Sequence, residues 1–196
     1  MPRPRADQQG PSAQERLEAA FWGLLAERPY ADLTVAALSA HARVNHNTFY
    51  YYFANIDDMA EQLFERNLLP DLPRRVLGTF STRSPGQEDT TDWPVEVSAD
   101  VRAHFARAVL FARSGSVTLT DILKRSLTSL WLEAAGVDAA RLSPGQRDQL
   151  EFVFGGLVAV LAVPGDEVTP DRLAELMGSP LGHGLLTSLR AIAQGA

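Results

Sequence analysis

The sequence predicts an all-α protein with an N-terminal three-helix unit of the helix-turn-helix type and a larger C-terminal helical part. Apolar residues recur at three- and four-residue spacing in successive segments, and the alternation typical of strands is nearly absent. Two short helical segments joined by a turn of three or four residues lie within residues 13–53. We therefore predict a disordered arm over residues 1–12, the three-helix unit over 13–55 and the larger helical part over 56–196.

The first three helices are each predicted from a start or stop signal. The first helix should end near Pro29, because proline cannot continue a helix. Thr34 is a plausible N-cap of a second helix that points Val35 and Leu38 inward, and Asn45 is a plausible N-cap of a third. The first helix places its apolar residues on one face: Leu17, Ala20, Phe21, Leu24 and Leu25.

The rest of the chain repeats the helical pattern around two loops. A fourth helix is expected over residues 56–68, and the segment 81–95, rich in Ser, Thr, Pro and Gly, is expected to be a mobile loop. "VPGDEVTP" is a predicted turn. The remaining predicted helices span residues 98–113, 118–135, 145–163, 170–177 and 181–194.

The composition excludes several classes of protein. The chain contains no cysteine, which rules out disulfide scaffolds, thiolate metal sites and cysteine nucleophiles. No apolar signal core begins the sequence, and no segment has the roughly 18 apolar residues of a membrane span, so we expect a soluble cytoplasmic protein without membrane contact. The net charge of -6 argues against a generally basic coat for nucleic acid, so that any contact with DNA must be local.

One stretch of the chain is compatible with such a local contact. Residues 33–56 contain no Asp or Glu, whereas Arg43, His41 and His46 lie within this window. A surface without carboxylates does not repel phosphate. The window therefore marks a candidate contact with nucleic acid.

The aromatic run "RVNHNTFYYYF", residues 43–53, lies inside this window and could form a core, a ligand cage or a nucleic-acid surface. On a helical wheel of about 100° per residue, Phe49 and Phe53 share one face, which we interpret as core. Asn47, Thr48 and Tyr51 point outward. Tyr50 lies on the border and Tyr52 shares the face of Phe49 and Phe53; each can bury its ring while its hydroxyl reaches a phosphate.

The segment "LLAERPYADLTVAALSAHARVNHNTFYYYFANIDDM" resembles the DNA-binding domain of the TetR family of transcriptional regulators, and the resemblance covers roughly residues 14–68. The residues that match the family pattern are Glu27, Arg28, Tyr30, Thr34, Val35, Leu38, Ala42, Val44, Thr48, Tyr50, Tyr52 and Phe53. The resemblance implies that the helix capped by Asn45 enters the major groove of double-stranded DNA.

The resemblance also implies which side chains would contact DNA. Asn47 is the best candidate for reading a base, because an amide can pair with adenine through two hydrogen bonds. The alternative is that His46 and Asn47 are simply solvated residues of the first helical turn. The full set of implied DNA-binding residues is Arg43, Asn45, His46, Asn47, Thr48, Tyr50, Tyr51 and Tyr52.

Several positions depart from the family pattern. Arg43 replaces a turn glycine that is expected to adopt a left-handed backbone, Ile56 replaces a lysine that contacts the DNA backbone, and Ser39 replaces an alanine. These changes weaken the general attraction to phosphate. We therefore expect modest non-specific affinity and a larger contribution from Arg3 and Arg5 in the arm.

In proteins of this kind the C-terminal helices form a homodimer, so that two-fold symmetry matches a palindromic operator. Gly155 and Gly156 lie in the middle of a predicted helix, which favours a close helix approach across a dimer. Leu185, Leu186 and Leu189 of the last helix are the candidate partners, and a core within one chain explains these leucines equally well.

The C-terminal helices are also implied to bind a small effector. The candidate pocket residues are the aromatic residues Phe105, Phe111, Trp131 and Phe152, with His104 as a polar group. Their chemistry favours an apolar or aromatic effector. The alternative is that each belongs to an ordinary core.

An enzyme is not expected, and neither is a metal or cofactor. The four histidines show no metal-ligand spacing, and the sequence has neither a glycine-rich phosphate loop nor a recognisable nucleophile. The working hypothesis is a homodimeric DNA-binding regulator, in particular a repressor that a small effector releases from its operator. The rival hypothesis is a helical protein-interaction module whose helix-turn-helix has lost DNA binding.

Overall fold

The computed structural model describes residues 10–67, 99–164 and 168–195, and contains helices but no strand within these ranges. The all-α prediction is confirmed. Most of the predicted arm and the whole predicted loop 81–95 lie outside the described residues. The helices are α1 (Ala13–Glu27), α2 (Val35–Ala42), α3 (His46–Tyr52), α4 (Ile56–Asn67), α5 (Ala99–Arg113), α6 (Val117–Ala135), α7 (Pro144–Ala162), α8 (Pro170–Gly178) and α9 (Pro180–Gly195).

Side-chain caps fix where several helices begin. The Ser12 hydroxyl accepts a hydrogen bond from the Glu15 backbone N–H, and the Glu15 carboxylate accepts one from the Ser12 N–H, which lowers the pKa of Glu15. Ser143 and Gln146 form the same reciprocal pair at the start of α7. The predicted cap Thr34 accepts a hydrogen bond from the backbone at the start of α2. Local sequence therefore sets these boundaries.

An aromatic cluster joins the N-terminal helices to the C-terminal part. Phe111 of α5 is fully buried, with its ring centroid 5.1 Å from that of Phe64 in α4 and 5.4 Å from that of Trp22 in α1. Phe21 of α1 lies 6.3 Å away in the same cluster. Buried aromatic pairs stabilise such contacts beyond the area they bury. The position of α1 and α4 relative to α5 is therefore set by this cluster.

Two ion pairs add polar contacts around α4. Arg66 contacts Glu18 of α1 at 2.9 Å, and Glu61 contacts Arg125 of α6 at 3.3 Å. Both pairs are largely exposed, so each contributes little to stability. They nevertheless connect α4 to a helix on either side.

A second core lies in the C-terminal part between α6, α7 and α9. It packs the aromatic rings of Trp131 and Phe154 among aliphatic side chains. The buried residues of this core are Trp131, Leu132, Leu142, Leu150, Val153, Phe154, Leu189 and Ile192.

No helix in the described ranges is long and apolar enough to cross a membrane.

Ser39, one of the departures from the family pattern, lies in the interior of α2, and its buried hydroxyl has no hydrogen-bond partner among the described residues. Replacing it with alanine removes this desolvated group, so Ser39→Ala should raise the free energy of unfolding by about 1 kcal/mol. Urea denaturation measures the change. Ser188→Ala is the control, because the Ser188 hydroxyl donates to the Gly184 carbonyl and only helix propensity improves there. A gain at Ser39 no larger than at Ser188 would contradict the prediction.

Candidate nucleic-acid interface

The turn between α2 and α3 depends on one left-handed residue. Arg43 follows the last residue of α2 with φ 53° and ψ 47°. Its N–H donates to the Ala40 carbonyl at 3.2 Å, and the Val44 N–H donates to the Ser39 carbonyl at 3.0 Å. This pair of bonds is the Schellman closure of a helix C-terminus. Arg43 thus takes the backbone conformation expected of the family's glycine, and the three residues 43–45 separate the two helices.

Arg16 of α1 forms a hydrogen bond with the C-terminal end of α2, next to this turn. Its Nε donates to the Ala42 carbonyl at 3.2 Å, and its Nη1 donates to the Pro11 carbonyl at 2.9 Å. A cation at the C-terminal end of α2 also opposes the partial negative charge of the helix dipole. Sequence analysis did not find this role, because nothing local to Arg16 shows a contact 26 residues away.

The inward face of α3 is aromatic. Asn45 caps the helix by accepting a hydrogen bond from the Asn47 N–H at 2.8 Å, as predicted. Phe49 and Phe53 are both fully buried in the core shared with α1 and α2. Phe53 lies just past the end of α3 in an extended conformation, rather than within the helix, and donates its N–H to the Phe49 carbonyl. These two rings fix which face of α3 points outward.

The outward face of α3 combines polar and aromatic groups. Asn47 and His46 are exposed, and Tyr51 has 82% of its surface exposed. Tyr50 is 53% exposed, with its ring centroid 5.3 Å from that of His46. Four of the residues predicted to bind DNA are therefore exposed on α3.

The two remaining residues of α3 occupy its borders. Thr48 and Tyr52 are partly buried, and the rings of Tyr51 and Tyr52 meet edge to face at 4.9 Å. Tyr52 packs against the core, on the face of α3 that the wheel shares between Tyr52, Phe49 and Phe53. Thr48 is more enclosed than the outward position that the wheel indicates.

Two carboxylates that flank this surface, those of Asp57 and Asp58, accept hydrogen bonds from other groups of the chain. Asp57 accepts a hydrogen bond from the Tyr30 hydroxyl, and burial together with this bond raises the pKa of Tyr30. Asp58 accepts from the Ala54 N–H and from the Gln62 side chain. Both carboxylates lie at the start of α4 rather than in α3. The exposed face of α3 itself carries no carboxylate.

Ile56, which replaces the family's lysine, has a structural role instead. It begins α4 and packs, partly buried, against the core formed by α1 and α3. An apolar side chain in this position cannot bind phosphate. Where the family pattern has a lysine that contacts the DNA backbone, this chain therefore has an isoleucine that packs against the core.

Three of the residues predicted to line an effector pocket divide between the two cores of the described residues. Phe111 is enclosed by the aromatic cluster of α1 and α4, and the partly buried Phe105 packs against the same core. Trp131 belongs to the separate core of α6, α7 and α9. Phe152 is 74% exposed among the described residues, and its place in a pocket stays a prediction. His104 is partly buried on α5.

An open cleft between α6 and α7 is lined by charged groups. Lys124 contacts Glu151 at 2.5 Å and Asp121 at 3.5 Å across it, and the hydrogen bond to Glu151 raises the pKa of Lys124. Thr118 and Arg125 complete the lining. Within the described part of the chain, no cluster of three or more His, Asp or Glu side chains could hold a metal ion.

The candidate dimer residues separate into buried and exposed sets. Leu186 and Leu189 are buried within the chain, and Leu185 packs against the core of α6, α7 and α9. These leucines therefore contribute to a core within one chain. Gly155 is partly exposed and Gly156 is exposed, and a Cβ added at either would meet nothing within 4 Å among the described residues.

Arg43 is the only non-glycine residue with a positive φ among those described, which makes it a site of backbone strain. Arg43→Gly should raise the free energy of unfolding by about 1 kcal/mol, because glycine has no Cβ to clash in this conformation. Thermal and urea denaturation measure the change. Arg28→Gly is the control, because Arg28 has an extended backbone and should gain nothing. A loss of stability in Arg43→Gly would show that the arginine side chain stabilises the turn.

Comparison with known proteins agrees with this geometry. Residues 17–63 match the model of a family described as bacterial regulatory proteins, tetR family. No curated protein and no solved structure matches the chain. The matched segment runs from α1 into α4 and contains the Arg43 turn and all of α3. The chain therefore carries a TetR-family DNA-binding domain and is a DNA-binding transcription regulator.

Proposed function

We propose that this protein is a homodimer that represses transcription by binding a palindromic operator and releases the operator when a small apolar or aromatic effector binds. The observation that carries the proposal is the outward face of α3, where Asn47, Tyr51 and His46 are exposed on a helix that itself contains no carboxylate. A helix of this width fits the major groove of B-DNA. We expect such a regulator in the cytoplasm, where bacterial DNA lies.

The proposed DNA contacts divide between bases and phosphates. Asn47 and Tyr51 are both exposed on α3 and are the proposed base contacts. Tyr50 and Tyr52 keep part of their rings against the protein, so their hydroxyls are proposed to bind phosphates. Arg43, exposed at the turn, is the proposed cationic phosphate contact.

A second copy of the chain is the proposed occupant of an exposed apolar surface on α7. Phe152, Gly156, Ala159 and Val163 follow one another at three- and four-residue spacing, and all are exposed. An exposed stripe of this kind marks an interaction site in a soluble protein. Gly156 in the middle of the stripe lets another backbone approach closely.

The neighbouring helix α9 is proposed to take part in the same contact. α9 packs on α7 through the core that contains Phe154 and Leu189, and its own exposed residues include Leu181, Gly184 and Ala191. Small side chains on both helices suit a symmetric four-helix contact, since each helix pair would meet its copy across a two-fold axis. Such a dimer would present two copies of α3 to a palindrome.

The effector response is proposed to pass through α4. Phe64 of α4 packs on Phe111 of α5, and Glu61 of α4 pairs with Arg125 of α6, so a shift of either C-terminal helix acts on α4 directly. α4 in turn contacts α1 through Arg66. An effector that binds one arrangement of α5 and α6 more tightly would shift the spacing of the two α3 helices. Repression is the usual mode implied by the family resemblance.

Selection of genomic DNA fragments by the purified full-length protein at low salt tests operator binding. We expect enrichment of a palindromic sequence, and affinity should fall linearly with salt on a logarithmic plot. Arg43→Gly should reduce the magnitude of the slope by about 2 for a dimer, since each half-site would lose one phosphate contact. Arg147→Ala, at an exposed arginine of α7, is the control and should leave the slope unchanged.

The rival hypothesis of a protein-interaction module gives a different result in the same experiment. The apolar Ile56 and the nearly uncharged face of α3 favour it, and an apolar protein interface responds little to salt. If no palindrome is enriched at low salt, the operator-binding proposal fails.

Substitution of Phe152 tests the dimer. Phe152→Glu places a charge in the middle of the proposed interface, so we expect a monomer at micromolar concentration in analytical ultracentrifugation. Val117→Glu is the matched control, because Val117 is equally exposed but lies at the start of α6, outside the stripe. A monomeric wild-type protein, or a Phe152→Glu protein that remains dimeric, would overturn the proposed interface.

A further inference from the structure

We infer that α3 reads A·T base pairs in each half-site, with Asn47 on the edge of adenine and Tyr51 on the C5-methyl group of thymine. The inference rests on the proposed entry of α3 into the major groove. It adds the class of base pair that the helix recognises, which neither the family match nor the general fold assigns.

The first support is the set of side chains that α3 offers. Bidentate contact with guanine is made by arginine or lysine, and the segment His46–Tyr52 contains neither. Asn47 is exposed, and its amide supplies one donor and one acceptor, which match N7 and the N6 amino group of adenine. The backbone N–H of Asn47 is bound to Asn45, so the first turn that carries the amide is held in place.

The second support is the exposure of Tyr51. With 82% of its surface in solvent, this ring adds little to the core, whereas Phe49 and Phe53 are fully buried in the same run. The edge-to-face contact with Tyr52 at 4.9 Å supports the ring at its base. A large apolar ring on a surface that faces the major groove can contact the one apolar group there, the thymine methyl.

The third support is the spacing of the two side chains. Asn47 and Tyr51 are four residues apart and therefore lie on the same side of α3, about 6 Å apart along its axis. Base pairs of B-DNA follow one another at about 3.4 Å. The two side chains therefore reach positions about two base-pair steps apart, so that one short A·T segment can satisfy both.

His46 is the residue of α3 whose side chain has the chemistry to recognise guanine instead. Its ring nitrogens can donate to or accept from a base, and guanine presents two acceptors in the major groove. The His46 ring lies against the Tyr50 ring, on the side of α3 proposed to face phosphate. We therefore assign His46 to the border of the interface and expect it to contribute no base preference.

Single-atom changes in the selected operator test the inference with the full-length protein. Replacing thymine by deoxyuridine removes only the methyl group, and at one position of each half-site it should weaken binding about fourfold. Replacing adenine by 7-deazaadenine removes the N7 acceptor, and at one nearby position it should weaken binding at least about fivefold. Fluorescence anisotropy with labelled duplexes measures both effects.

Protein variants assign each effect to its side chain. Tyr51→Ala should abolish the sensitivity to deoxyuridine and keep the sensitivity to 7-deazaadenine, whereas Asn47→Ala should do the reverse. Tyr51→Phe is the matched control, because it keeps the ring and should retain the deoxyuridine effect. Since both side chains are exposed, neither alanine variant should lower the melting temperature appreciably.

The outcomes separate this inference from the proposed function. A selected operator that binds tightly but is insensitive to deoxyuridine and 7-deazaadenine at every position overturns the A·T reading and leaves operator binding intact. Enrichment of G·C pairs that is lost in His46→Ala overturns it as well. Failure to enrich any sequence removes the proposed function itself.

Discussion

The left-handed turn at Arg43 is the constraint on which the DNA-binding surface depends. The bond from the Val44 N–H to the Ser39 carbonyl closes α2, and Asn45 then opens α3 two residues after Arg43. Arg16 binds the same end of α2 from α1. Because the turn is this short, its backbone angles decide the direction of α3, and α3 in turn decides which side chains can reach a groove. An arginine in this conformation carries strain that a glycine would avoid.

The aromatic cluster around Phe111 links the N-terminal helices to the C-terminal part of the chain. It joins α1 and α4 to α5 through rings that are almost fully enclosed, so these helices cannot shift independently without opening the core. The same packing encloses the Phe111 ring among Phe21, Trp22 and Phe64. Regulation of DNA binding in this protein would therefore act on a packed contact between helices, which has discrete arrangements rather than a continuous range.

The surface of α3 offers shape and hydrogen bonding more than charge. The helix exposes two tyrosine rings and an amide, and Arg43 is exposed at the turn before it, while the carboxylates of Asp57 and Asp58 form hydrogen bonds at the start of α4. Non-specific attraction to DNA comes mainly from cations, whereas base edges are read by amides and apolar groups. From this balance we expect discrimination between sequences more than strong general affinity for DNA.

The sequence by itself determined the helices, their caps and the division of α3 into an inner and an outer face. Each of these follows from neighbours within about four residues, as with Thr34, Asn45 and the Phe49–Tyr51 alternation. Only the tertiary structure decided that Phe111 lies between two parts of the chain, that Phe152 faces solvent, and that Arg16 binds the end of α2. Periodicity identifies the apolar side of a helix, but the helix that covers it depends on contacts between residues distant in sequence.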